Sequence, residues 1–149
     1  MSIKQSLDQD LKEALLGGDK LKSETLRVIK SVILNEEIAQ NKRDIGLSDE
    51  AIMACLKKEV KKRQEAAELY KKVGEDSRAE KELTEIKFIE IYLPESMTDA
   101  EVASLVEQAV SKIGKDQKNL GQIIGQVKIL SNNRADGAQI AKLVKQALA

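Results

Sequence analysis

Four lysines within residues 57–62 form the densest group of charged side chains in this sequence that can bind a ligand. The run reads KKEVKK, and its lysines are Lys57, Lys58, Lys61 and Lys62. An ideal α-helix advances about 100° per residue, so the four share the face opposite Leu56 and Val60. Such a strip can follow a phosphate backbone. A solvated helix face with Glu59 and Glu65 among its lysines gives the same pattern, and the sequence leaves both interpretations open.

Arg63 follows this run, but the same geometry places it inside the apolar stripe with Leu56 and Val60. A guanidinium at such a position must reach solvent or pair with a carboxylate, because an unpaired buried charge is costly. Glu85 and Glu90, on the next predicted helix, are the candidate partners. We therefore interpret Arg63 as a structural residue.

Gly121 and Gly125 lie four positions apart and share one face of a predicted helix. Glycine inside a helix costs about 1 kcal/mol relative to alanine. Two such residues indicate close backbone approach, for which packing of a neighbouring helix is the favoured reason and approach of a ligand such as the RNA backbone is the alternative.

Asp136, in the sequence Ala135-Asp136-Gly137, is the one acidic residue whose setting suggests a catalytic role. Its place before an apolar helical run, with Gln139 three positions later, predicts a helix N-cap instead. No second carboxylate is spaced to form an acid–base pair with it. The sequence thus predicts no catalytic residue.

The residue types that are missing exclude several kinds of site. The chain has no histidine, which excludes Ser-His and Cys-His nucleophile pairs and His-ligated metals. Its single cysteine, Cys55, excludes an internal disulfide and any CxxC pattern, and its apolar neighbours predict a structural helix position. We therefore expect neither a metal site nor a cofactor.

The overall composition predicts a soluble, cytoplasmic protein without a global attraction to polyanions. The net charge is zero over 149 residues, so nucleic acid binding requires a local basic patch. No apolar run approaches the roughly 20 residues of a membrane span. The first residues lack the apolar core of a signal peptide.

Apolar residues recur at helical spacing through most of the chain and predict helices throughout. Helices are predicted to begin at about Asp19 and near Asn119, and after the N-cap residues Ser48, Ser77, Thr98 and Asp136. Glu80 and Glu101 complete predicted capping boxes with Ser77 and Thr98. The only proline, Pro94, stops the fourth helix at about Tyr92. We interpret residues 89–97 as a rigid elbow between two helical subdomains, residues 1–93 and 94–149.

Three motifs in this order resemble the GatB/YqeY family, which comprises YqeY-like proteins and the C-terminal tail of GatB, a component of the tRNA-dependent glutamyl/aspartyl-tRNA amidotransferase. They are the elbow Ile91-Tyr92-Leu93-Pro94-Glu95-Ser96-Met97, the glycines Gly121 and Gly125, and the turn Ala135-Asp136-Gly137. The resemblance covers essentially the whole chain. It implies an all-α protein with a larger N-terminal helical subdomain and a small C-terminal three-helix subdomain.

The resemblance also implies a function. In the amidotransferase the tail helps to hold tRNA, whereas the glutaminase and kinase-like chemistry resides in other domains. Similar modules are fused to a glutaminyl-tRNA synthetase. We therefore expect a non-catalytic tRNA-binding accessory module, with Lys128, Arg134 and Lys142 as phosphate contacts and the lysines of residues 57–62 as a possible addition.

This chain departs from the family in two places. Many relatives carry a Pro-Lys-x-Lys-Gly-Lys-like run before the Ala-Asp-Gly turn, where this chain reads ILSNNR over residues 129–134. Relatives often have Gly-Arg before the fourth helix, and here the pair is Gly74-Glu75. Each missing basic residue removes a phosphate contact, which weakens RNA binding and flattens its salt dependence.

Two other functions stay open. One is a protein–protein adaptor that docks on an aminoacyl-tRNA synthetase or an amidotransferase through its helical faces. The other, which the family name invites, is a carbon–nitrogen ligase with glutamine as amide donor. Serine–lysine amidases need no histidine, but this sequence has neither an amidase-like glycine- and serine-rich loop nor a phosphate-binding loop for ATP.

Overall fold

The computed structural model describes residues 1–132 and 134–149. These residues form seven α-helices and one 3₁₀ helix and contain no β-strand, which confirms the predicted all-α class. The α-helices are α1 (Ile3–Leu16), α2 (Lys20–Ala39), α3 (Asp49–Lys72), α4 (Asp76–Glu90), α5 (Asp99–Ile113), α6 (Leu120–Leu130) and α7 (Gly137–Leu148). The 3₁₀ helix spans Gln117–Asn119 and leads directly into α6.

Side-chain caps fix the starts of four helices. The capping residues are Ser2, Asp19, Ser48 and Thr98. Thr98 and Glu101 form the predicted capping box at the start of α5, with the Thr98 hydroxyl 3.2 Å from the Glu101 amide nitrogen. Ser2 and Gln5 form a second capping box, which was not predicted. Each cap satisfies amide groups that have no partner within the helix.

The start of α4 differs from the prediction. Gly74 has a φ of 78° and turns the chain directly after α3, so that α4 already begins at Asp76. Ser77 therefore lies inside the helix and cannot act as its N-cap. The predicted capping box of Ser77 and Glu80 is wrong. Glu75 occupies the N-cap position, and among the described residues its side chain makes no capping hydrogen bond.

Residue contacts divide the chain into two compact units, Met1–Leu93 and Pro94–Ala149. That these units are the two predicted helical subdomains stays a prediction. In the first unit α3 packs along α4, and α1 packs against α2. Its buried apolar core consists of Leu7, Leu26, Ile29, Ile33, Leu47, Ile52, Leu56, Val60, Ile86 and Ile89. Tyr92 and Leu93, which belong to the elbow motif, pack against this core.

The second unit is a three-helix arrangement in which α5, α6 and α7 each contact the other two. Its core consists of Val102, Val106, Ala109, Ile123, Val127, Ala135, Ile140, Val144 and Leu148. Met97 packs against this core just before α5. After α6, Asn132 has a φ of 52°, in the left-handed region. The sequence Ser131-Asn132-Asn133 is typical of a turn. Asn133 itself lies outside the described residues.

Candidate nucleic-acid interface

The lysine strip, defined as Lys57, Lys58, Lys61 and Lys62, lies in the middle of α3. Lys58, Lys61 and Lys62 are exposed, and Lys57 is half-buried. The buried residues Leu56 and Val60 lie on the opposite face, as the helical spacing requires. A ligand that binds to the first unit can therefore reach the lysine strip.

Glu59 is buried, although the sequence places it among the lysines of a solvated helix face. It is 7% exposed, and its Oε2 lies 2.5 Å from Arg63 Nη1. Glu85 on α4 is the second partner, with its Oε2 3.0 Å from Arg63 Nε. Glu85 is one of the two carboxylates proposed from the sequence, whereas Glu90 is exposed. Burial acts to lower the pKa of Arg63, but the hydrogen bonds to Glu59 and Glu85 outweigh it and raise that pKa, so the guanidinium stays charged.

The two family-motif glycines of α6 have an open setting. A Cβ atom added to Gly121 or Gly125 would meet no atom of a neighbouring element of the described chain within 4 Å. The interpretation that a neighbouring helix packs against them is therefore wrong for the described residues. Close approach of a ligand is the interpretation that remains, because no neighbouring element covers the backbone on this face of α6.

Lys128 shares the open face of α6. Positions 121, 125 and 128 fall within about 60° of one another on a helical wheel. Lys128 is exposed and reaches the start of α7, where its Nζ lies 4.0 Å from the position of a Cβ on Gly137. The open glycine face thus ends in a cation that touches the next helix. We call Gly121, Gly125 and Lys128 together the glycine face.

Asp136 occupies the N-cap position of α7, but its side chain makes no capping hydrogen bond within the described part of the chain. The prediction that capping accounts for this residue is therefore wrong. Gln139, its expected capping partner, instead donates from Nε2 to Met97 O at 3.0 Å and to Asp99 Oδ1 at 2.8 Å. These bonds attach α7 to the start of α5 and leave the Asp136 carboxylate exposed.

Arg134 and Lys142, the other predicted phosphate contacts of this unit, are both exposed. Arg134 Nε donates to Glu95 O at 3.2 Å, which ties the turn after α6 to the segment before α5. Lys142 lies about 140° around α7 from Gly137, five residues earlier. The structure therefore brings Lys128 to the start of α7 and places Lys142 on another side of that helix.

The last part of the chain carries a charge bias that the motifs alone do not reveal. Residues 117–149 contain one acidic residue, Asp136, and five basic ones: Lys118, Lys128, Arg134, Lys142 and Lys145. Because the whole chain is neutral, the remaining residues carry a matching negative excess. Counting the charges of residues 117–149 separately from those of the rest of the chain reveals this bias from the sequence alone.

Two other classes of site have no candidate within the described residues. These residues contain no group of three or more His, Cys, Asp or Glu side chains placed to hold a metal ion. Among their helices, none combines the length and the apolar character that crossing a membrane requires.

Comparison with known proteins identifies the family. A family model described as "Yqey-like protein" matches residues 4–148. The chain belongs to this family. The resemblance inferred from the elbow, the two glycines and the Ala-Asp-Gly turn is thereby confirmed.

Three related proteins share one name, "Altered inheritance of mitochondria protein 41, mitochondrial". The Eremothecium gossypii protein is 36% identical over 87 residues, which cover 58% of this chain and 46% of the relative. The Kluyveromyces lactis protein is 30% identical over 127 residues, which cover 82% of this chain and 67% of the relative. The Vanderwaltozyma polyspora protein is 33% identical over 87 residues, which cover 58% of this chain and 46% of the relative. The YqeY-like chain thus spans about half the length of two of these relatives.

Proposed function

We propose that this YqeY-like protein is a non-catalytic tRNA-binding accessory module whose second unit contacts the RNA backbone. The observation that carries the proposal is the uncovered glycine face of α6, which ends in Lys128. Two helical glycines cost about 1 kcal/mol each. No neighbouring element of the described chain packs against the two glycines, so packing does not compensate for the lost helix stability. An external partner that approaches the backbone of α6 is the explanation that remains.

Charge supports RNA over an uncharged partner. The segment of residues 117–149 has an excess of four positive charges in a neutral chain. Lysine and arginine side chains contact phosphates, and helix faces without Cβ atoms let a ribose-phosphate chain approach the backbone. Lys128 and Arg134 are the proposed phosphate contacts of this unit, and the lysine strip of α3 is a further candidate in the first unit.

The direct test is binding of unfractionated tRNA to the purified protein across a salt series. We expect affinity to fall with salt, since each phosphate contact releases counterions. The double substitution Lys128→Ala and Arg134→Ala should weaken binding. It should also reduce the slope of log K against log salt by roughly 0.7–0.9 for each phosphate that is no longer neutralised.

The matched control is the double substitution Lys112→Ala and Lys115→Ala, which removes two exposed lysines of the same unit. This control should bind as the wild type does. Because Arg134 also bonds Glu95 O, urea unfolding of both variants must show that they are folded. Absence of wild-type binding at low salt would overturn the proposal.

The second candidate is a protein adaptor that docks on an aminoacyl-tRNA synthetase or an amidotransferase. It is favoured by a groove of about 230 Å³ between α1 and α2, lined in part by Leu7 and Leu34. Ile38 nearby on α2 is 50% exposed, and Ile45 in the following loop is 90% exposed. Exposed apolar surface of this kind marks interaction sites.

The adaptor candidate has its own test. A complex with a synthetase or an amidotransferase that forms without RNA and persists at high salt would support it. Ile45→Ser should weaken such a complex, whereas Val73→Ser, at a position 72% exposed at the end of α3, should not.

The cytoplasmic location also stays a prediction, since the named relatives are described as mitochondrial; cell fractionation checks it.

A further inference from the structure

The α2–α3 loop, defined as residues 40–48, is attached to the rest of the first unit at few points. Residues 41–45 are all exposed, and Leu47 is the buried side chain of this loop. Asn41 and Gly46 turn its backbone, with φ values of 55° and 82°. Within the described part of the chain, one hydrogen bond joins residues 43–47 to another element, and the Leu47 amide donates it.

The acceptor of that bond is the carboxylate of Glu37, near the end of α2. The Leu47 amide nitrogen lies 3.0 Å from Glu37 Oε2. Lys4 Nζ lies 3.0 Å from the same oxygen and 3.2 Å from Oε1. The loop backbone lies directly against this group, since a Cβ atom added to Gly46 would be 3.2 Å from Oε2. One carboxylate, on a residue that is 2% exposed, thus joins α1, α2 and the loop.

Lys4 is the cation that contacts this carboxylate directly. Arg43, in the loop itself, also favours the charged form of Glu37, but it forms no ion pair with it in the described structure. Lys30 of α2 lines the same groove between α1 and α2, and its Nζ lies 2.5 Å from Asp8 Oδ1. The charge of Lys30 is therefore paired elsewhere, and the closed loop depends chiefly on Lys4.

The pairing with Lys4 determines how the closed loop responds to pH. The hydrogen bond from Lys4 lowers the pKa of Glu37 below its ordinary value of 4.5, against the effect of burial, and the Leu47 amide acts in the same direction as Lys4. When the loop opens, the carboxylate loses the Leu47 bond and gains water, so its pKa returns toward the ordinary value. The closed loop therefore binds fewer protons than the open loop. Its advantage is fully present above pH 4.5 and is lost as the pH falls through the lower value of the closed state.

We infer that the α2–α3 loop is a strap latched by Glu37, which opens locally when the Lys4–Glu37 ion pair is lost while the helices of the first unit stay folded. The inference goes beyond both proposed functions and does not depend on tRNA binding. Opening separates Leu47 from Glu37 and moves Ile45, which is 90% exposed in the same loop. The latch thus controls the position of apolar surface that the adaptor candidate uses.

The alternative is that Glu37 stabilises the first unit as a whole, so that the loop opens only when the unit unfolds. Amide hydrogen exchange measured by NMR separates the two cases. The Leu47 amide reports on the loop, and the amide of Leu56, a fully buried residue of α3, reports on the helices. Protection factors, corrected for the intrinsic pH dependence of exchange, give the free energy of opening at each amide. A latch predicts lower protection at Leu47 than at Leu56.

The experiment compares Lys4→Gln with Lys12→Gln, which removes a charge from an exposed position about two turns later on α1. Lys4→Gln should lower the protection of Leu47 relative to Leu56 roughly tenfold or more, because the hydrogen bond that it removes joins charged groups. It should also move the loss of Leu47 protection in acid to higher pH. Lys12→Gln should keep the wild-type ratio, and Glu37→Gln should remove the dependence of the ratio on acid pH.

Three results would overturn the inference. The first is equal protection of Leu47 and Leu56 in the wild type, which shows that the loop opens only with global unfolding. The second is a wild-type ratio that stays constant as the pH is lowered over the range in which Leu56 remains protected; this series decides by itself if Lys4→Gln does not fold. The third is an equal fall of the ratio in Lys4→Gln and Lys12→Gln. None of these measurements involves RNA, so failure of the tRNA proposal leaves the inference standing.

Discussion

Arg63 on α3 and Glu85 on α4 form an ion pair across 22 positions of sequence, with 3.0 Å between Nε and Oε2. Their side chains are 11% and 14% exposed, and Glu59, 9% exposed, pairs with the same guanidinium. One cation thus holds two carboxylates at the contact between two helices. Removal of Arg63 leaves two carboxylates in a poorly solvated place without the cation that they share.

Arg63→Ala should therefore destabilise the protein strongly. Breaking a buried ion pair by removing one partner costs about 3–5 kcal/mol. Lys62→Ala is the neighbouring control, because Lys62 is 74% exposed and only 3.7 Å from Glu59 Oε1. Its substitution should change the free energy of unfolding by less than about 1 kcal/mol. Urea unfolding measures both, and equal effects would contradict a structural role for Arg63.

Glu37 on α2 is a second buried carboxylate, 2% exposed, whose Oε2 lies 3.0 Å from Lys4 Nζ and accepts from the Leu47 amide at 3.0 Å. The hydrogen bond from Lys4 holds its pKa below the ordinary value of 4.5, against the opposing effect of burial. Glu37→Gln keeps the shape but removes the charge. We expect a loss of about 1–3 kcal/mol at neutral pH.

The pH dependence of this loss follows from the lowered pKa. The stability that the Glu37 charge contributes is fully present above pH 4.5 and is lost as the pH falls through the lower folded value. The difference in unfolding free energy between the wild type and Glu37→Gln should therefore shrink in acid. A difference that stays constant from pH 7 to pH 3 would show that the charge of Glu37 does not matter.

Tyr92 in the elbow motif donates a hydrogen bond from its hydroxyl to the carboxylate of Asp10 on α1. Burial raises the pKa of the phenol above its ordinary value of 10.0, and the bond to Asp10 raises it further. Tyr92→Phe should lower the free energy of unfolding by about 1.5–3 kcal/mol, because it removes a hydrogen bond to a charged group.

A raised phenol pKa also makes the stability depend on alkaline pH. The folded state keeps the proton that the unfolded state releases above pH 10, so this contribution is present below pH 10 and declines above it. Tyr92→Phe should lose that part of the alkaline sensitivity. Chemical unfolding of both proteins between pH 8 and pH 11 tests this expectation.

Gly121→Ala and Gly125→Ala should each stabilise the fold by about 1 kcal/mol, because alanine suits a helix interior and its Cβ meets no neighbouring element. The same substitutions should weaken tRNA binding if the backbone of α6 is its contact. Gly18→Ala is the control, since Gly18 also has free space but a φ of 72° that strains alanine. It should destabilise the protein. Thermal unfolding and tRNA binding together decide the outcome.

Much of the helical architecture was predictable because its signals are local. Thr98 and Glu101 are three positions apart, and their capping box depends only on that spacing. The exceptions have physical reasons. Ser77 has the same pattern with Glu80, but the turn at Gly74 places it inside α4. Asp136 stands at the predicted N-cap position without a capping hydrogen bond from its side chain, and the Gln139 side chain, which a capping box would use, is bonded to Met97 and Asp99 instead.

The candidate site was predictable only in part. The sequence singled out Gly121, Gly125 and Lys128 as separate features, and it favoured packing over ligand approach at the glycines, which the structure contradicts. That choice depends on which atoms lie near the glycines, and spacing along one helix carries no such information.

The sequence by itself determined the all-α class, the family, and most of the helix starts, because helical periodicity and capping depend on residues within a few positions of one another. The tertiary structure alone decided that Glu59 turns inward to Arg63 and that no neighbouring element contacts the α6 glycines. Each of these depends on groups brought together from distant positions of the chain. Burial and charge pairing act through space, so only the folded arrangement fixes them.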